Sequence, residues 1–349
     1  MTNDAKVKKI TIVVPAYNEG IIIEDTVYKV TQFLENLSDK YPWELILVDD
    51  GSKDNTGMIM DQLALTNDKM RVYHHRKNFG IGMALKTGFK NASGDIIITL
   101  DADLSYSTEH IPRLIQRMEE TDADIVSASC YAPGGKVENV PFKRAVMSRI
   151  GNMLLSRAIG GNVTVVTCLV MAYKADAIKS LDLLSDDKDL SPEILYKAIT
   201  LGLRIEEIPA TLKWSDKKLN RAKQQKRKSK FKLKKTVITH LFLLLWSKPF
   251  VLFLIFGATM FVLGLFEFGL LLYRFIISMN SYTDSSFNQS LILAARYIIS
   301  KYTPSLILTG ILLILGIQFS SLGFLAVQAQ RNFNELYHII YNSIRNRKM

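Results

Sequence analysis

The sequence predicts an α/β domain built on a mostly parallel sheet, followed by two membrane-spanning helices, and three observations predict it. From Lys9 to about Pro209, short runs rich in β-branched residues alternate with longer amphipathic ones. Repeated βα units of this kind bury a right-handed, mostly parallel sheet under helices on both faces. Two later stretches, residues 250–273 and 304–327, are each roughly two dozen mostly apolar residues, enough to cross a bilayer. Between sheet and spans, residues 213–235 carry about a dozen Lys and Arg against one acid, Asp216, so the formal net charge of +11 is concentrated in one block.

Taken in order, strands are expected over residues 10–14, 45–48, 71–74, 96–100 and 125–128, and helices over 19–37, 56–65, 81–91 and 109–119. Residues 141–161 read as a helix with basic residues near its start. Another helix starts at Ser191 and Pro192, with Asp189 favourably placed near its positive end. Residues 229–247 begin basic, turn apolar and contain Trp246, which fits a helix lying in the membrane interface or a soluble helix on the sheet domain. Lys248 and Pro249 break it before the first span. The expected division is a catalytic domain over 1–228, an interface helix over 229–248, a two-span region over 249–327 and a basic tail over 328–349.

Charge orients the spans. The loop between them, residues 274–303, has three basic residues, whereas the flanks hold many, including Arg331, Arg345, Arg347 and Lys348. Both termini and the large domain are therefore expected in the cytoplasm, and MTNDAKVKK has no apolar h-region of a signal peptide. The basic block is juxtamembrane, which favours an anionic bilayer over nucleic acid as its partner. Cys130 and Cys168 are too few and too far apart for a zinc site, the five His show no ligand spacing, and a cytosolic setting disfavours a disulfide. Glu267 is the one acid inside the spans; it is a candidate for pairing across helices or between protomers of a homo-oligomer, or for a place near the outer interface. Asn288 and Ser290 match an N-glycosylation pattern that is common by chance.

Three turns carry the chemistry. Strand one ends in PAYNE, where Pro15 ends the ladder, Tyr17 offers an aromatic face and Glu19 supplies acceptor oxygens. Strand two ends in VDDGS, where Asp50 can accept from a base edge or ribose and Gly51 permits a tight turn. Strand four ends in LDADLS, with Asp101 and Asp103 one residue apart at the strand's carboxyl end. Ligands of open parallel sheets bind at that end, and paired acids there can hold a divalent cation against a diphosphate. Alone, an Asp-Gly is a loop turn and a DxD is chance; three such turns in register describe a nucleotide site.

PAYNE at 15–19, VDDGS at 48–52, KNFGIGMALKTGF at 77–89, SGDIIITLDADLS at 93–105 and YAPGGKVEN at 131–139 together resemble the family 2 glycosyltransferases of GT-A fold. Within them the chain is similar to the polyprenyl-phosphate (dolichyl-phosphate) mannose and glucose synthases. The resemblance implies that Pro15, Tyr17, Glu19 and Asp50 hold the nucleobase and ribose, and that Asp101, Ala102 and Asp103 hold the diphosphate with Mg²⁺ or Mn²⁺. Ser105, where mannose synthases often carry Gln, is a weaker metal ligand. Arg144 and Ser148, four apart and so on one helix face, match the residues that receive the lipid phosphate; the alternative for Arg144 is a solvated place on an amphipathic helix. Lys213 and Lys218 fall near the family's basic closing segment, in contact with phosphates of donor or lipid, or serve only to attract the membrane surface.

The implied reaction is inverting transfer of a sugar from a nucleoside-diphosphate sugar to a polyprenyl phosphate at the cytoplasmic face, with no nucleic acid beyond the donor nucleotide. Asp189 and Glu193 become base candidates only for a hydroxyl acceptor. Two departures favour a sugar other than mannose and a UDP-linked donor: Cys130 stands where the family has Arg, and Val165 and Leu169 stand where it has Asp and Gly. One alternative is a transferase extending a lipid-linked or surface glycan, although the QxxRW signature of processive members is absent, with Ala210 and Lys213 before Trp214. The other is a non-catalytic nucleotide-sugar-binding scaffold, against which the intact Asp101 and Asp103 argue.

Overall fold

The computed structural model describes residues 7–160, 163–215, 249–282 and 286–346. The chain divides into two compact units, residues 1–240 with 341–349 and residues 241–340. Lys218 and the expected interface helix over 229–248 lie outside the described residues.

In the first unit, β1 (Ile10–Ala16), β2 (Trp43–Asp49), β3 (Met70–His74), β4 (Ile96–Thr99) and β5 (Ile125–Ser129) alternate with α1 (Ile23–Glu35), α2 (Thr56–Leu65), α3 (Ile81–Asn91) and α4 (His110–Thr121). After β5 come β6 (Lys136–Glu138), α5 (Phe142–Ile159), β7 (Met171–Lys174), α6 (Ala175–Ser180), α7 (Leu190–Thr200), β8 (Ile205–Pro209) and β9 (Thr211–Lys213). Seven strands form one sheet in the order β3-β2-β1-β4-β7-β5-β8, and β6 pairs with β9 in a second. Every main-sheet pairing is parallel except those of β7, which runs antiparallel between β4 and β5. This is the mostly parallel sheet expected, with one reversed strand that periodicity did not reveal.

β1 and β2 are buried along their whole length, which is why they read as continuous apolar runs rather than alternating ones. Helices bury one stripe each, Ile23, Val27, Val30 and Leu34 on α1 and Ile111, Leu114, Ile115 and Met118 on α4, the latter packed on β5, β7 and β8. α3 lies so close to β1 that a Cβ at Gly88 would stand 3.1 Å from Val13 Cγ2. α1 starts four residues later than expected. Asn18 takes a left-handed φ of 55°, and the N–H groups of Ile22 and Ile23 fold back on the Glu19 carbonyl, so the residues after β1 form a turn first.

The second unit contains α8 (Pro249–Asn280) and α9 (Phe287–Asn346) as far as Ile340. Both are long and apolar enough to cross a membrane. They exceed the expected spans. Residues expected in the loop are largely helical, Asn288 lies in the first turn of α9, and the Ser290 hydroxyl is buried against the Tyr282 carbonyl at 3.0 Å. The expected tail after Val327 continues the helix to Asn346, since neither Pro nor Gly follows Gly323 to stop it. α9 kinks at Tyr302 (φ −121°), two residues before Pro304, whose ring cannot fit the preceding turn of a straight helix. Gly257 and Gly316 let the two helices approach: added Cβ atoms would stand 2.8 Å from the backbone nitrogens of Ser320 and Phe261.

Candidate functional site

Register brings the three turns to one edge. β1 and β2 pair through Ala16 and Asp49, β1 and β4 through Val13 and Thr99, and the Leu100 N–H continues the ladder to the Val13 carbonyl at 3.0 Å. PAYNE, VDDGS and DADLS therefore leave the sheet side by side. Side chains stitch them together: Asn18 Oδ1 accepts from the Lys53 N–H (2.8 Å), Ser52 Oγ from Asn18 N–H (2.9 Å), and Thr56 Oγ1 from Glu19 N–H (2.9 Å). The Thr26 hydroxyl on α1 donates to the Ala102 carbonyl at 2.6 Å, fixing the DAD turn from the side.

Between the turns lies a cavity of about 260 Å³. Pro15, Tyr17, Glu19, Asp50, Asp101, Ala102 and Asp103 all line it. Asp50 also builds the wall. It is 2 % exposed, Oδ1 accepts from His75 Nδ1–H (2.7 Å) and the Phe79 N–H (3.0 Å), and Oδ2 accepts from the Gly80 N–H (2.9 Å). It thereby holds the 75–80 loop that opens α3. At Gly51 (φ +68°), a Cβ would meet Lys77 Cα at 2.6 Å, so the turn needs glycine for conformation and space alike.

Sequence reasoning missed Asn78, Asp187 and Lys188, which line the same cavity. Asn78 lies inside KNFGIG and was legible as part of that motif. Lys188 sits in SDDKDLS, which reads as the entry to a helix, and only packing brings it to the site. The Met83 N–H bonds the Asp186 carbonyl (3.0 Å), and Lys86 pairs with Asp186 at 2.5 Å. From the other side, Glu193 accepts the N–H groups of Leu184 (2.8 Å) and Ser185 (2.7 Å) and the Lys197 ammonium (2.6 Å). Among the described residues, Lys188 is the one cation that lines the cavity.

The donor set fits a hard divalent ion shared with a diphosphate. Asp101 and Asp103 offer carboxylate oxygens to one cavity, and among the described residues no group of three or more His, Cys, Asp or Glu forms a cage. Mg²⁺ in particular is held by one or two carboxylates plus substrate phosphates and water. Ser105 is 3 % exposed, and its N–H (2.9 Å) and hydroxyl (2.6 Å) both donate to Asp103 Oδ1, so in this structure it positions Asp103.

The residues expected to meet the acceptor approach through β9. The Lys213 N–H bonds the Ser105 carbonyl (2.8 Å), and the Thr211 N–H bonds His110 Nε2 (3.2 Å) at the start of α4. The next residue, Trp214, lies under the Arg144 guanidinium of α5 at 5.3 Å. Arg144 and Ser148 are both exposed on α5. Of the departures, Cys130 and Val165 are buried, whereas Leu169 is half-buried and lines the cavity. Cys130 and Cys168 flank the Tyr106 hydroxyl, and burial pushes the pKa values of all three groups up, keeping them neutral. The backbone of Val165 bonds Glu207 (3.1 Å), which also accepts the Thr164 N–H (2.9 Å) and hydroxyl (2.7 Å). A carboxylate thus reaches this segment from β8 and serves to hold its backbone.

Residues 11–182 match the family described as glycosyl transferase family 2. The chain is 32% identical over 203 residues to glycosyltransferase AglD of Haloferax volcanii, covering 58% of this chain and 32% of that protein. It is 30% identical over 210 residues to the undecaprenyl-phosphate mannosyltransferase of Micrococcus luteus, covering 58% of this chain and 83% of that one. A solved structure of glucosyl-3-phosphoglycerate synthase from Mycobacterium tuberculosis, in complex with Mn²⁺ and UDP, overlaps 59% of this chain and 70% of that one at a TM-score of 0.45 and 22% identity. The chain belongs to glycosyl transferase family 2, a family of sugar-transferring enzymes.

Proposed function

We propose that this chain transfers a sugar from a UDP- or GDP-linked donor to a polyprenyl phosphate at the cytoplasmic membrane face, with inversion at the anomeric carbon and dependence on Mg²⁺ or Mn²⁺. The observation that carries the reading is the convergence of PAYNE, VDDGS and DADLS on one cavity. Pro15, Tyr17, Glu19 and Asp50 would bind the nucleoside, and Asp101 and Asp103 the metal-diphosphate, with Ser105 acting through Asp103. When bound, the divalent ion supplies neutralisation of the charge developing on the leaving diphosphate. Lys188 would add a cation to the same group. Arg144 and Ser148, with Lys213 and Lys218, would hold the acceptor phosphate.

A phosphate acceptor agrees with what the carboxylates are doing. A phosphate monoester has a second pKa near ~6 and is already a nucleophile at neutral pH, so positioning suffices where a sugar hydroxyl would need a base. Glu193, the base candidate for a hydroxyl acceptor, spends its oxygens on Leu184, Ser185 and Lys197. The lipid acceptor is supported by two helices of membrane-spanning length and by the polyprenyl-phosphate specificity named for the Micrococcus relative.

The test is a transfer assay on membranes holding the full chain, with radiolabelled UDP- and GDP-sugars offered to short-chain dolichyl and undecaprenyl phosphates. Label is expected in a lipid product cleaved by mild acid. Transfer to a glycan, with every polyprenyl phosphate refused, would replace this reading with glycan extension.

A further inference from the structure

Two cations from different helices converge on one ring where α9 kinks. The Arg274 guanidinium of α8 lies 4.5 Å from the centre of the Tyr302 ring, and the Lys301 ammonium of α9 lies 5.9 Å from the same centre. Tyr297 closes the group from one turn back on α9. Its ring stands edge-on to Tyr302 at 6.0 Å and lies 5.1 Å from the Lys301 ammonium, and its hydroxyl accepts from that ammonium at 2.8 Å. The support is packed: Leu271, one turn before Arg274, and Ile298, one turn before Tyr302, are both buried.

No carboxylate completes the cluster. Among the described residues neither Arg274 nor Lys301 forms an ion pair, and residues 268–334 contain one acid, Asp284, which lies outside the described residues. Lys69 in the first unit shows the completed form, covering the Trp43 ring at 4.5 Å and pairing with Glu35 at 3.2 Å. A guanidinium stacked on a ring uses its face and turns its in-plane N–H groups to acceptors. Two cations on one ring therefore suit an anion with several oxygens, and a phosphate has them.

Depth says where the anion comes from. The apolar stretches 250–273 and 304–327 both end at this cluster, with Tyr273 beside Arg274 and Pro304 two residues beyond Tyr302. Two dozen helical residues rise about 36 Å and a bilayer's hydrocarbon core is about 30 Å thick, so the cluster falls among headgroups, in the leaflet opposite the one where α8 starts. Tyrosines and long cations settle at that depth, and the abundant anion there is a lipid phosphate.

We propose that Arg274, Lys301, Tyr297 and Tyr302 form a binding site for the phosphodiester of an anionic phospholipid in that leaflet, its oxygens accepting from the N–H groups of both cations. A lipid so held ties α8 to α9 at the kink. The site rests on the two helices crossing the bilayer and is independent of the sugar-transfer reading.

The experiment uses the full chain in nanodiscs of phosphatidylglycerol and phosphatidylcholine in equal parts. Because Cys130 and Cys168 are buried, a thiol fluorophore at Ser300→Cys, an exposed position beside Lys301, reports from the site. A nitroxide near the headgroup end of the phosphatidylglycerol acyl chain should quench it about threefold more than the same nitroxide on phosphatidylcholine. Arg274→Gln with Lys301→Gln should remove that preference, whereas Arg274→Lys with Lys301→Arg, which keeps both charges, should retain most of it. Equal quenching by the two lipids in the otherwise unaltered chain, a preference that survives the Gln pair, or its loss in the charge-retaining pair overturns the proposal. Inorganic phosphate, set against chloride at matched ionic strength, separates the sources. An unchanged preference supports the lipid, and its abolition would make free phosphate the ligand and overturn the lipid assignment.

Discussion

Strand β2 starts beside one carboxylate and ends in two, and the protein treats its ends in opposite ways. Glu44, 6 % exposed, accepts from the Thr11 hydroxyl (2.6 Å), the Ser93 N–H (2.7 Å) and hydroxyl (2.8 Å), the Arg71 guanidinium (2.8 Å) and the Lys9 ammonium (3.1 Å). Burial alone would raise its pKa, yet the bonds from Thr11, Ser93 and Lys9 hold it at about 2. At the other end, Asp50 shares a cavity wall with Glu19, Asp101, Asp103 and Asp187 against Lys188. One edge of the sheet is a closed electrostatic account; the other gathers negative charge that a metal and a polyphosphate can complete. Stability should therefore reside at the amino edge and activity at the carboxyl edge.

The comparison is broken most severely at the carboxyl edge. Asp101→Asn or Asp103→Asn should lower sugar transfer at least about a thousandfold, the scale of losing a metal's charge stabilisation. The unfolding midpoint should not fall, because each exchange relieves carboxylate crowding. Full activity in either variant, measured at saturating Mg²⁺ and Mn²⁺, would sink the mechanism.

Glu44→Ala is the converse. Removing a buried acceptor with five donors should cost about 3 kcal/mol of stability while leaving kcat for transfer unchanged in the folded fraction. Chemical denaturation of the full chain in detergent, read beside the assay, separates the two. A loss of kcat without loss of stability would show that the edges are not independent.

Acid and base should sharpen the contrast. Glu44 has a depressed pKa, so its contribution is present above the unfolded value near 4.5 and is lost as pH falls through about 2. His74 has the opposite sign. Burial would lower its pKa, but Asp49 (3.0 Å) and Asp61 (2.9 Å) outweigh this and raise it, so its contribution is full below 6.5 and fades as pH rises through the raised value. Because His74 is well exposed, its effect is the smaller. Stability–pH curves should show Glu44→Gln flattening the acid limb and His74→Gln the limb above neutrality.

The smallest expected effect is at Lys188. Lys188 is an exposed cation lining the cavity, and if the proposed diphosphate binds there its replacement by Gln should raise the donor KM about three- to tenfold with little change in stability. Initial rates against donor concentration would show this, and an effect confined to the acceptor KM would move Lys188 to the other substrate.

The legible part of the fold is the part built from local pattern. α2 and α3 begin and end at the residues where their periodicity does. β1 to β5 lie where β-branched runs lie, because a strand buried on both faces must be apolar throughout. α1 was read too long because its first residues satisfy their backbone groups in a turn that the apolar stripe does not register. β6, β7, β8 and β9 went unread: three to five residues carry too little period to separate strand from loop.

The sequence by itself determined the family, the three turns that line one cavity and the two membrane-length helices, since each is written in contiguous residues with a short-range physical meaning. Tertiary structure alone decided that β7 runs backwards between β4 and β5, that the Thr99 hydroxyl meets the Leu169 carbonyl beside the cavity, that Lys188 reaches that cavity, and that α5 keeps an apolar face uncovered. A strand's pattern states that it must be buried but not which neighbour takes its hydrogen bonds. A helix's pattern likewise states which side chains share a face, while only packing shows which face is left for something else to cover.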